Sequence, residues 1–148
     1  MRIAVLDLCR WLPEFQSDQA KFGDVIAAGA ARGVPDADLS VIYVQEGEAL
    51  PDVSAYDGYI LSGSDRGVYD DAPWMEPLRA FLIAARDAGK PLFGICFGHQ
   101  MMAEVFGGKA EKVGEAEVGV REFELNGTLQ KGHVWHQDQV TEVPPGAT

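Results

Sequence analysis

The sequence predicts an α/β fold: an open, mostly parallel sheet flanked by helices, with a small antiparallel extension. Two observations carry that reading. Short apolar runs alternate with segments of helical period as far as Phe106, the pattern of strands linked by crossover helices. After Gly107-Gly108 the alternation stops, and strand-like stretches follow with no helix between them. A length of 148 residues fits one domain, and 47% hydrophobic residues can build its core.

Each element has its own signal. Ile3 to Leu8 is apolar throughout, as a strand buried on both faces requires. A turn region runs from Arg10 to Ser17. Phe22, Val25, Ile26 and Gly29 then fall at helical spacing, with Gly33 and Pro35 as stop signals. Leu39 to Val44 and Tyr59 to Leu61 read as strands two and three. Leu78, Phe81, Leu82 and Ala85 predict a second helix, with Pro77 in its first turn and Gly89 at its end. Pro91 to Ile95 is strand four, and a helix follows from about Gly98 to Phe106. Lys109 to Val113, Gly119 to Leu125, His133 to Trp135 and Gln139 to Val143 read as four short strands.

The net charge of -11 would repel a phosphate backbone, so no nucleic-acid partner is expected. An anionic membrane is disfavoured for the same reason. No run of about 20 apolar residues and no signal-like apolar stretch is seen. Two cysteines, Cys9 and Cys96, are too few for a disulfide scaffold, and the expected compartment is a reducing cytoplasm. His136 and Asp138 on one short segment are too few to make a metal site, and no cofactor is expected. Asp70-Asp71 is expected to cap the following helix. Cys9 is expected to be a small buried residue.

Strand four runs into Gly94-Ile95-Cys96-Phe97-Gly98-His99-Gln100. This is G-x-C-x-G, the cysteine form of the nucleophile elbow. The glycines permit a sharp strand-to-helix turn that holds Cys96 at its tip. The positive end of the next helix is expected to favour thiolate and lower the cysteine pKa. The amide of Phe97 is placed to donate to a developing oxyanion.

These residues resemble the elbow of class I glutamine amidotransferases. Other stretches fit the family in the same order. Ile60-Leu61-Ser62-Gly63-Ser64 resembles its oxyanion loop, usually Leu-Ser-Gly-Gly-Pro. Val68-Tyr69-Asp70-Asp71 with Pro73-Trp74 resembles the segment after it, and Gly107-Gly108-Lys109 the end of the elbow helix. Trp135-His136-Gln137-Asp138-Gln139-Val140 resembles the family's Ser-His-x-Asp-x-Val. The nearest subgroup is the stand-alone, GMP-synthase-like amidotransferases, which includes γ-glutamyl peptidases. The resemblance implies a flavodoxin-like, class I amidotransferase-like fold. It implies Cys96 as the nucleophile toward a small-molecule substrate, glutamine or a γ-glutamyl compound. It implies Ser64 and Phe97 as backbone oxyanion donors, and Gly63, Gln100, His136 and Gln137 as substrate-binding residues. A separate synthetase or acceptor enzyme would take the ammonia.

The family completes its triad with a downstream His-Pro-Glu, and none occurs in these 148 residues. His99, His133 and His136 match other positions. General acid–base help is typically worth about 10²–10⁴-fold. The sequence is therefore expected to be a C-terminally incomplete domain, inactive by itself as a hydrolase. A natural short form acting as a non-catalytic binding module is the alternative. A third reading is a cysteine-elbow hydrolase or chaperone of the related intracellular protease branch, where histidine often follows the cysteine directly; here Phe97 does.

Overall fold

The computed structural model describes residues 1–10 and 21–147. Most of the expected turn after Arg10 lies outside the described residues. Four strands form a parallel sheet in the order β2-β1-β3-β4. They are β1 (Arg2–Asp7), β2 (Asp38–Tyr43), β3 (Gly58–Leu61) and β4 (Leu92–Gly94). Helix α1 (Phe22–Gly33) links β1 to β2, α2 (Met75–Asp87) links β3 to β4, and α3 (Phe97–Val105) leaves β4.

Alternation along β1 puts helices on both faces of the sheet. Ala4, Leu6 and Leu8 join the buried cluster that contains Leu78, Phe81, Leu82 and Ala85 of α2. On the other face, a Cβ at Gly23 of α1 would come within 2.8 Å of Asp7 Cβ and 2.7 Å of Val41. Glycine there lets α1 lie directly on the sheet. Tyr59 packs edge-on against Phe81, with ring centroids 4.9 Å apart.

The four short strands expected after Gly108 merge into two long ones, β5 (Lys109–Leu125) and β6 (Thr128–Glu142). They pair antiparallel as a two-stranded sheet of their own. Register shifts between Lys109 and Ala110, and between Lys112 and Glu117, break the alternation that marks one continuous strand. The hairpin turns at Asn126-Gly127, both with positive φ (52° and 74°). That is the conformation of a two-residue turn matched to strand twist. Val118, Val120, Leu125, Leu129 and Trp135 stay exposed along this ribbon.

The expected helix cap at Asp70-Asp71 is not formed. The cap position of α2 is Trp74, which makes no side-chain cap, and Asp70 instead accepts from the Gly67 N–H at 3.0 Å. Four residues, Asp71 to Trp74, separate Asp70 from Met75 and put it too far from the first free amides of the helix. Cys9 is half-buried rather than buried.

Buried Asp7, at the end of β1, ties three elements together. Its carboxylate accepts from the Gly23 N–H at 2.9 Å and the Cys9 N–H at 3.1 Å. Ser62, fully buried after β3, lies beside it and accepts the Leu8 N–H at 2.8 Å. Replacing Asp7 with alanine would strand the Gly23 and Cys9 amides. Urea denaturation of Asp7→Ala should show a loss of about 3 kcal/mol, against under about 1 kcal/mol for a surface change such as Asp87→Ala.

Candidate active site

β4 ends at Gly94 and α3 begins at Phe97, so the chain must reverse within two residues. Cys96 takes up that bend at φ 51° and ψ −111°, a region that side-chain-bearing residues rarely enter. Its surroundings hold it there. The Ile95 N–H donates to Leu61 O at 3.0 Å, and the Gly98 N–H donates to Ser62 O at 3.1 Å. A Cβ on Gly98 would sit 2.6 Å from Leu61 Cβ, and one on Gly94 would sit 2.5 Å from the Gly98 carbonyl carbon. Both elbow glycines are therefore required by close approach.

Cys96 opens onto a cavity of about 320 Å³. The elbow contributes Cys96, Phe97 and Gln100, the loop after β3 contributes Ser64 to Gly67 and Tyr69, and the ribbon contributes Lys112 and Trp135 to Asp138. The structure thus brings Ser64, Phe97, Gln100, His136 and Gln137 together around the thiol. Gly63 is buried and does not line the cavity. A Cβ there would lie 3.6 Å from Cys96 Cβ, so its place is beneath the nucleophile. Gln137 donates through Nε2 to Gly114 O at 3.3 Å, within the ribbon. Gln100, buried in α3, donates through Nε2 to Asp138 O at 2.9 Å and pins the ribbon to the elbow helix. Among the described residues, no group of three or more His, Cys, Asp or Glu side chains could hold a metal ion.

The family described as glutamine amidotransferase class-I matches residues 23–145. The chain belongs to this family. The GMP synthase [glutamine-hydrolyzing] of Mycobacterium leprae is 35% identical over 136 residues, covering 84% of this chain and 25% of its own. That of Aromatoleum aromaticum is 37% identical over 106 residues, covering 60% of this chain and 19% of its own. A glutamine amidotransferase from Thermotoga maritima shares the fold, with a TM-score of 0.74 at 20% identity, over 99% of this chain and 64% of its own. The chain thus spans a quarter or less of these two synthases and under two thirds of the solved amidotransferase.

Within this class I domain, the cavity also holds residues to which the sequence reading gave no site role, among them Tyr69, Lys112 and Asp138. Lys112 lies with its ammonium 5.2 Å from the centre of the Tyr69 ring. The Tyr69 hydroxyl donates to Asp138 Oδ1 at 3.2 Å. Tyr69 and Asp138 stand inside family-like segments, but nothing local marks Lys112, which pairing opposite Asp138 in the ribbon brings to the site.

The electrostatics of Cys96 differ from the expectation. Burial pushes the thiol pKa up, the Phe97 N–H pulls it down, and the negative charge of Asp138 pushes it up again. The side chain faces the cavity, yet the atoms crowded round it strip water from a thiolate, and this outweighs the helix end. Cys9 is pushed to about 11, mainly by burial and by Asp65. Iodoacetamide should therefore alkylate Cys96 with a midpoint above the ordinary thiol value of about 8.5, and well before Cys9. Asp138→Asn removes a charge that opposes thiolate, so its midpoint should move down. Mass-resolved labelling rates from pH 7 to 10 check both.

Proposed function

We propose that the domain hydrolyses the γ-amide of glutamine or of a γ-glutamyl compound, with Cys96 as nucleophile. The observation that carries this reading is the left-handed bend that holds the sulfur at a cavity mouth, in a chain of the amidotransferase family. The thiolate would attack the side-chain carbonyl, and the C–N bond would break as ammonia or an amine leaves with a proton. Water would then cleave the γ-glutamyl thioester and free the thiol. The amides of Ser64 and Phe97 serve as oxyanion donors in this reading. Gln100 and the backbone at His136 and Gln137 hold the amino-acid end. The cations Arg66 and Lys112 and the anions Asp65 and Asp138 around the cavity suit a zwitterion.

The resting thiol needs a base. The Phe97 N–H favours the thiolate and the charge of Asp138 opposes it, and no His-Pro-Glu occurs in these 148 residues to supply the base. We therefore assign turnover to a chain in which a His-Pro-Glu segment accompanies these residues, and binding without turnover to the 148 residues alone. A synthetase or other acceptor enzyme would take the released ammonia, in keeping with the names of the synthase relatives. The cytoplasm is the proposed compartment, with both cysteines free. No helix among the described residues is long and apolar enough to cross a membrane.

A form extended through a His-Pro-Glu segment should release ammonia from glutamine or amine from γ-glutamyl peptides. Cys96→Ala should lower that rate by about 10⁴-fold or more. The 148-residue chain should be labelled at Cys96, saturably and without turnover, by a diazoketone analogue of glutamine. Absence of both turnover and labelling would sink the assignment.

A further inference from the structure

Cys96 also borders a second cavity, of about 430 Å³, between α3 and β6. Gln100, Trp135, His136 and Asp138 border both cavities; His99, His133, Val134, Gln139 and Val140 border the second alone. An ammonia leaving group needs little more room than a water, about 30 Å³. The second cavity instead falls within the range of small-molecule sites.

Its lining differs from the first in charge. The first holds two cations and two anions around the thiol. The second has no lysine or arginine, and its one acidic side chain is the shared Asp138. A ligand carrying its own carboxylate would find no cation there. The apolar wall comes from Val134, Val140 and Trp135. Trp135 is 84% exposed, an open aromatic face beside the nucleophile. His136 adds a polar side chain to the wall that the two cavities share.

From this pair of cavities sharing one thiol, we propose that the second is a leaving-group subsite for an uncharged aromatic amine. The substrate class is then a γ-glutamyl arylalkyl amide, in which the γ-glutamyl end occupies the charged cavity and the amine lies against Trp135. This rests on the reading of Cys96 as nucleophile toward γ-glutamyl compounds, and it selects among them. A γ-glutamyl dipeptide, whose leaving group keeps a carboxylate, is disfavoured.

The test is protection of Cys96 in the 148-residue chain against the diazoketone analogue of glutamine. The competitors are glutamine, γ-glutamyl benzylamide and γ-glutamyl-phenylalanine. The benzylamide should protect at a concentration about fivefold or more below that of glutamine, the scale of one aromatic contact. γ-Glutamyl-phenylalanine should do no better than glutamine. In Trp135→Ala, and in part in His133→Ala, the benzylamide-to-glutamine ratio should fall toward one. Both side chains are exposed, so neither change removes core packing. If glutamine protects and the benzylamide is no better, the subsite is refuted while the hydrolase reading stands. The same holds if the ratio survives both substitutions. If the reagent fails to label Cys96, or no competitor protects, both readings fall together.

Discussion

The structure depends on a contact that excludes side chains. α3 starts so close to the end of β3 that Gly98 lies against Leu61, with no room for a methyl group. That approach anchors the first turn of the helix on the Ser62 carbonyl. With the helix held there and β4 held by β3, the intervening Cys96 has no relaxed conformation left. It adopts a positive φ because its neighbours over-determine it. Its exposure to the cavity follows from that backbone state.

Beneath the bend, polar groups replace apolar packing. Asp7 and Ser62 are buried at the carboxyl ends of β1 and β3, where strands give way to loops and backbone amides lose their ladder partners. Their oxygens take up the amides of Leu8, Cys9 and Gly23. The same edge of an open α/β sheet is where ligand sites form, outside the carboxyl ends of the strands. The polar floor and the strained cysteine thus belong to one construction. The ribbon closes it from the other side through Gln100 and Asp138.

Much of this was legible in the sequence because it is local. Apolar runs place β1 to β4 within a residue or two, and Leu78, Phe81, Leu82 and Ala85 mark the buried face of α2. Gly94 and Gly98 flank Cys96 at a spacing that has a steric meaning. What escaped is non-local. Lys112 reaches the cavity through its pairing opposite Asp138, which no short window reveals. Register shifts in the ribbon break the alternation that marks one continuous strand. Asn126-Gly127 was a readable hairpin signal that the strand pattern obscured. Asp7 reads as the polar end of an apolar run, and its burial depends on Gly23 and Ser62 from elsewhere in the chain. The upward direction of the Cys96 pKa is not legible in sequence, because a helix end is visible there and desolvation is not.

Comparing Cys96→Gly with Cys96→Ala by urea denaturation tests the central claim most directly. Both remove the sulfur, but only glycine relieves a positive φ. At an unstrained site alanine is the more stabilising by about 0.4–1 kcal/mol. Here the order should invert, with the glycine variant more stable by about 1 kcal/mol or more. An alanine variant as stable as the glycine variant, or more so, would mean that the bend is relaxed and that nothing forces the thiol to the cavity.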